Sequence, residues 1–134
     1  ISTLCVFVAA AASVSLARAV IADPQLASLD DLGGNRSGDA VGSAVSADGR
    51  WVAFTSEDDL TGTPTGGVSQ LYVRDRISGR TILASAGAPG VAADAPVDDP
   101  VDQRAYAISG DGRHVVFATG AANLVAGDAD VEIA

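Results

Sequence analysis

The side chains of this sequence that could support catalysis or metal binding are its acidic residues and one histidine. They are Asp48, Asp111, the Glu-Asp-Asp run at 57–59, the alternating acids of 128–132, and His114. Carboxylates and imidazoles do chemistry when a nucleophile or a metal lies beside them. The sequence has no G-x-S-x-G elbow, zinc-ligand spacing, phosphate loop or dinucleotide fingerprint. We therefore predict a chain that is not an enzyme, with no catalytic, cofactor-binding or metal-binding residue.

Asp48 and Asp111 are each followed by a glycine, which predicts a tight turn rather than a catalytic acid. Glycine supplies a positive φ at such a turn, and the aspartate side chain can accept hydrogen bonds from nearby backbone amides. The next residues, Arg50 and Arg113, are expected to lie at the rim of the fold or to pair with local aspartates.

Two ring side chains follow these arginines at equivalent places, Trp51 in the first case and His114 in the second. A tryptophan could anchor a sugar or a peptide, and a histidine could act in catalysis. Both residues begin apolar stretches, so we favour the interpretation that they pack at strand positions.

The acids Asp128, Asp130 and Glu132 have the alternating spacing of a calcium loop, in which oxygen ligands at every second position converge on one cation. Such loops continue to a glycine that makes a sharp turn, and none follows Glu132. We therefore favour a solvated loop over a calcium site. The same interpretation holds for the acids at 57–59.

The charge balance limits the classes of partner. The net charge is −9, from 17 acidic and 8 basic residues, and all the basic residues are arginines. Nucleic acids and anionic membranes attract clusters of lysine and arginine. We therefore predict no nucleic-acid partner, and expect any partner to be a protein.

The start of the chain has the composition of a secretory leader. Residues 1–14 are uncharged and apolar, and an A-x-A cleavage pattern follows at 17–19. We predict a signal peptide over 1–22, helical and truncated at its start, and hence a secreted or periplasmic protein without a membrane span after cleavage. An uncleaved anchor and a buried helix are the alternatives, although Arg18 interrupts the run before the roughly 20 apolar residues of a membrane span. The single cysteine, Cys5, lies in this segment, so we predict no disulfide.

One motif occurs twice and organises the rest of the chain. Residues 46–54 and 109–117 both read Ser-x-Asp-Gly-Arg-x-Val-[Ala/Val]-Phe, and their first residues are 109 − 46 = 63 positions apart. That spacing is too long for a solenoid turn and suits a propeller blade with a loop insertion. The sequence therefore predicts an all-β fold and part of a β-propeller.

The strand pattern divides the chain into units. We predict an exposed lead-in at 23–42, a complete four-stranded antiparallel blade at 43–85, a linker or loop at 86–103 and a partial second blade at 104–134. The predicted strands are one ending at 46, then 51–56, 70–74, 81–85, 104–108 and 114–119. The strand 51–56 is apolar on both faces, which is typical of a strand packed on both sides.

The repeated motif and the later stretch 71–79, Leu-Tyr-Val-Arg-Asp-Arg-x-x-Gly, together resemble the PD40 type of repeat. This is the WD40-like β-propeller repeat of TolB-type and many other secreted bacterial proteins. Family members carry Leu-Val-x-Gly-Asp-x-Asn after the second strand; residues 124–130 are close to it, whereas residues 60–64 depart from it. The resemblance implies a propeller of several blades that serves as a scaffold or binding surface.

Our leading hypothesis is a non-catalytic, secreted or periplasmic propeller segment that acts as a protein-interaction scaffold. The alternative is the propeller domain of a larger secreted peptidase of the prolyl-oligopeptidase type, whose catalytic domain lies outside this sequence. A third hypothesis is a carbohydrate-binding or calcium-dependent adhesion module. Because the repeated motif specifies a turn and a core, we expect function to lie in the unrepeated loops 61–67 and 86–103.

Overall fold

The structure, a computed structural model, describes residues 26–34, 40–87, 90–97 and 105–125. These residues form two antiparallel sheets and contain no helix. The first sheet has the order β1 (Ala40–Val45), β2 (Trp51–Ser56), β3 (Gln70–Asp75), β4 (Arg80–Leu83), and the second pairs β5 (Tyr106–Ile108) with β6 (Val115–Phe117). The predicted all-β class and the four-stranded antiparallel unit are confirmed.

Two predicted features fall outside the described residues: the signal peptide over 1–22 and the acids at 128–132. In the described ranges, no helical segment has the length and apolar character that crossing a membrane requires.

The strand boundaries follow the sequence pattern most closely where the strands are buried. β2 is observed as predicted, and β3 extends one residue further, to Asp75. β4 ends at Leu83, two residues before its predicted end, because the amides of Ala84 and Ser85 both donate to the carbonyl of Leu71 and leave the ladder. β6 is only three residues long, and His114 precedes it instead of beginning it.

Side chains of the first sheet alternate between two faces, which we call face A and face B. Face A carries Ala44, Trp51, Ala53, Leu71 and Val73, and face B carries Val45, Val52, Phe54, Tyr72 and Arg74. β2 and β3 are buried throughout, except for half-buried Trp51. The expectation that β2 packs on both sides is therefore confirmed.

The second sheet packs on face A of the first. Its own face B consists of Tyr106, Ile108, Val115 and Phe117, and all four side chains pack against the cluster formed by Ala53, Leu71, Val73, Val97 and Ala105. Ile108, Val115 and Phe117 occupy the same motif positions as Val45, Val52 and Phe54 on face B of the first sheet. The two repeats are thus stacked with the same orientation: face A of the first sheet contacts face B of the second.

Face B of the first sheet is covered by other parts of the chain. Leu60, after β2, packs on Phe54 and Tyr72, whose rings stack with centroids 6.0 Å apart. The lead-in covers the β3–β4 side: Thr81 Oγ1 donates to the carbonyl of Leu29 over 2.7 Å, and the described part of the lead-in includes the buried Asp30. We expected an exposed lead-in, but residues 29–31 lie against the sheet.

The segment expected to be a linker also contributes to the core where it is described. Val97 is fully buried on face A, and its amide donates to the carbonyl of Ser69 over 2.9 Å. Buried Gln70 donates through Nε2 to the carbonyl of Ala93, and its Oε1 accepts from Ser85 Oγ. These bonds fix residues 93–97 to the start of β3, so this stretch is part of the folded unit.

Candidate functional site

The first copy of the motif forms a tight turn held by its own serine and aspartate. Ser46 Oγ donates to Asp48 Oδ1 over 2.6 Å, and the amide of Trp51 donates back to Ser46 Oγ over 2.9 Å. Asp48 Oδ1 also accepts from the amide of Arg50 at 3.0 Å. Gly49 has a φ of 72°, the left-handed conformation that glycine adopts without strain. The predicted turn role of Asp48 is confirmed.

The second copy repeats this geometry atom for atom. Ser109 Oγ donates to Asp111 Oδ1 at 2.5 Å, and Ser109 Oγ accepts from the amide of His114 at 3.0 Å. Asp111 Oδ1 accepts from the amide of Arg113 at 3.1 Å, and Gly112 has a φ of 70°. The serine hydroxyls, which donate to these carboxylates, lower the pKa of both Asp48 and Asp111.

The first turn is joined to the β3–β4 turn by an ion pair. The guanidinium of Arg50 donates through Nε to Asp75 Oδ1 at 2.9 Å and through Nη2 to Asp75 Oδ2 at 2.7 Å. Asp75 also accepts from the amide of Ile77 and from Ser78 Oγ, both at 2.9 Å. Arg50 is the main cause of a pKa well below the usual range for Asp75. Arg50 thus pairs with an aspartate, as expected, but the partner is 25 residues away in the sequence and not local.

The two turns contact each other directly. The amide of Ala47 donates to the carbonyl of Gly110 over 2.9 Å, and these two residues occupy the same position of the motif. Trp51 lies against Gly112, where the indole fills the space that a Cβ atom would occupy, and the Arg50 guanidinium lies 4.8 Å from the centre of that ring. Trp51 is therefore a packed aromatic that joins the two units.

An open cleft of about 340 Å³ lies beside this junction, lined by Trp51, Asp75, Ser78, Arg80 and Ile82. Among the described residues that line it, Asp75 is the one carboxylate, and both of its oxygens already accept hydrogen bonds from Arg50 and the β3–β4 turn. A general base works best with a pKa near the ambient pH, whereas the pKa of Asp75 is lowered. Asp75 is therefore poorly suited to act as a general base.

The remaining candidates from the sequence also have structural surroundings. Asp59 Oδ1 accepts from the amide and the hydroxyl of Thr65, and so orders the loop after β2. His114 is exposed beside Val116, where we expected a packed strand residue. Within the described ranges, no three His, Cys, Asp or Glu side chains come close enough together to hold a metal ion.

Sequence reasoning did not find the partner of Arg50. Asp75 lies 25 residues away, and only the pairing of β2 with β3 brings it opposite Trp51. A signal was present, since both arginine and aspartate flank predicted strand ends. Comparisons of this chain with protein-family models, with curated proteins and with solved structures found no match.

Proposed function

We propose that this chain is part of a WD40-like β-propeller in a secreted or periplasmic protein, and that it acts as a non-catalytic protein-interaction scaffold. The observation that carries the proposal is the junction of the two units. The same turn recurs with the same hydrogen bonds, and face A of one unit packs on face B of the next. Such serial stacking of similar sheets is how propellers are built.

The binding surface we propose is the end of the sheets opposite the two motif turns, which we call the loop end. It comprises residues 57–69, 90–97 and 119–123. Residue Asn123 joins two of these segments: its Nδ2 donates to the carbonyl of Ala92, and its Oδ1 accepts from the amide of Asp94. Loops that are ordered before binding lose less conformational freedom when a partner docks.

Charge at the loop end indicates the chemistry of the partner. Glu57, Asp59 and Asp94 are all exposed there. The exposed arginines Arg76, Arg80 and Arg113 lie in or beside the turns at the opposite end. A protein partner with a basic surface therefore suits the loop end, and its binding should weaken as salt rises.

The test is capture of partners from an envelope extract by the immobilised full chain, with two matched variants. Val91 is 44% exposed at the loop end and Ile77 is 76% exposed at the turn end. We expect Val91→Arg to abolish capture of a specific protein, and Ile77→Arg to retain it. Capture of no specific protein, or equal loss with both variants, would count against the scaffold proposal.

A further inference from the structure

Face A of the first sheet is covered over β3 but open along β4. Val73 and Ile82 are register partners on these two strands, so their side chains share a face. Val73 is 3% exposed and belongs to the cluster against which the second sheet packs, whereas Ile82 is 46% exposed. The open part of the face contains the cleft of about 340 Å³ described above.

The apolar wall of this cleft suits an aliphatic side chain. It consists of Ile82 and the half-buried ring of Trp51. The Arg50 guanidinium lies 4.8 Å from the centre of that ring, and Gly112 lies against it on the side of the second unit. A sugar stacks on an open aromatic face, and these two neighbours leave less of the indole face free. An aliphatic group needs only contact with the ring and with Ile82.

The polar wall of the cleft suits a carboxylate. Arg80 is exposed, and its Nε lies 3.8 Å from Asp31 Oδ1, which is too long for a hydrogen bond. An exposed ion pair of this kind contributes little, so the guanidinium can donate two parallel hydrogen bonds to a ligand carboxylate instead. Asp75 does not oppose this, because Arg50 already balances its charge at 2.7 Å.

The spacing of these two groups fixes the spacing in the ligand. Arg80 and Ile82 lie two positions apart on β4, so both project from the same face. An extended peptide has the same period, with side chains on one face about 6.6 Å apart at every second residue. A peptide therefore reaches both groups when one residue separates its aliphatic side chain from its acidic one.

We propose that this cleft binds an extended peptide segment of a protein partner, in which an aliphatic and an acidic residue are separated by one residue. The aliphatic side chain packs between Ile82 and Trp51, and the carboxylate accepts hydrogen bonds from Arg80. A ligand amide donates to Ser78 Oγ, whose own hydrogen goes to Asp75. The site rests on the geometry of the cleft and not on the scaffold proposal, which places a basic partner at the loop end.

The test uses the fluorescence of Trp51, the single tryptophan of the chain, as the reporter of binding to the full chain. The probes are the capped peptides acetyl-Ala-Leu-Ala-Asp-Ala-amide and its reverse, acetyl-Ala-Asp-Ala-Leu-Ala-amide. The matched control, acetyl-Ala-Ala-Leu-Asp-Ala-amide, has the same composition but adjacent leucine and aspartate. We expect at least one probe to change the fluorescence saturably and to bind about tenfold more tightly than the control and than its own Asp-to-Asn analogue.

Two pairs of variants locate the site. Arg80→Gln and Ile82→Ala should each weaken binding of the probe by about tenfold. Arg113→Gln and Ile77→Ala remove an exposed arginine and an exposed isoleucine outside the cleft, and should leave binding unchanged.

Equal binding of the probes and the adjacent-residue control would overturn the proposal, as would equal effects of Arg80→Gln and Arg113→Gln. Absence of any saturable change with both probes would also overturn it. A saturable change with glucuronate at the same concentration, as large as that with the peptides, would refute the peptide assignment. Because capture at the loop end depends on Val91, its outcome is independent of these results.

Discussion

Gly49 and Gly112 occupy the same position of the repeated motif, with φ values of 72° and 70°, yet we predict very different costs for replacing them with alanine. An alanine Cβ at Gly49 would have Arg76 Nη1 at 3.7 Å as its nearest neighbour, an ordinary contact. At Gly112 the Cβ would overlap the indole of Trp51, with Cγ of that ring only 2.6 Å away. Both substitutions place alanine in the same left-handed backbone conformation, but only Gly112→Ala also produces a steric clash.

The magnitudes follow from these two terms. Left-handed backbone costs alanine about 1–2 kcal/mol, and the stiffer unfolded chain returns about 0.4–1 kcal/mol, so Gly49→Ala should lower the free energy of unfolding by about 1 kcal/mol. Overlap with a packed ring adds about 1–3 kcal/mol, so Gly112→Ala should lower it by about 2–4 kcal/mol. Urea denaturation of the full chain, followed by circular dichroism, measures both values.

A Trp51→Ala background isolates the clash. Without the indole, the cost of Gly112→Ala should fall to that of Gly49→Ala, as a double-mutant cycle would report. Equal costs of the two glycine substitutions in the unmodified chain would refute the inferred contact between the first unit's indole and the second unit's turn. The contact would also be refuted if Gly112→Ala had the same cost in free energy of unfolding with and without Trp51.

Two further predictions concern pH. Because Arg50 lowers the pKa of Asp75 in the folded state, the pair stabilises the protein above the ordinary pKa of 3.8, and this contribution is lost as the pH falls through and below that value. Asp75→Asn should therefore be less stable at pH 7 and lose less further stability by pH 3, as urea midpoints would show; an unchanged acid sensitivity would contradict this. Burial raises the pKa of Tyr72 to about 12, so its contribution is complete below pH 10 and is lost between pH 10 and 12, on the order of 2–3 kcal/mol. Tyr72→Phe should flatten the alkaline limb of the stability profile, and a limb as steep as that of the unmodified protein would contradict the assignment.

The turns and the central strands could be predicted from the sequence because their causes are local. Asp48 and Gly49 determine a turn within a few residues, and the apolar run of β2 reports burial on both faces. Both features depend on backbone conformation and side-chain alternation, which neighbouring residues decide.

The burial of residues 93–97 and of the lead-in could not be predicted in the same way. Proline, glycine and aspartate indicate the absence of a regular strand, but they do not indicate whether the segment packs. Val97 is a single apolar residue in such a segment, and its burial depends on β3, about 25 positions earlier, together with the second unit. The contact of Trp51 with Gly112 is likewise a property of the junction, since neither repeat contains it alone.

The cover over face B of the first sheet makes the two outer faces of the described sheets unlike. Residues 29–31 and Leu60 close that side, while Ala107 and Val116 leave the other side open. The two outer faces of the described sheets therefore meet solvent differently, one through other segments of the same chain and the other through its own apolar side chains.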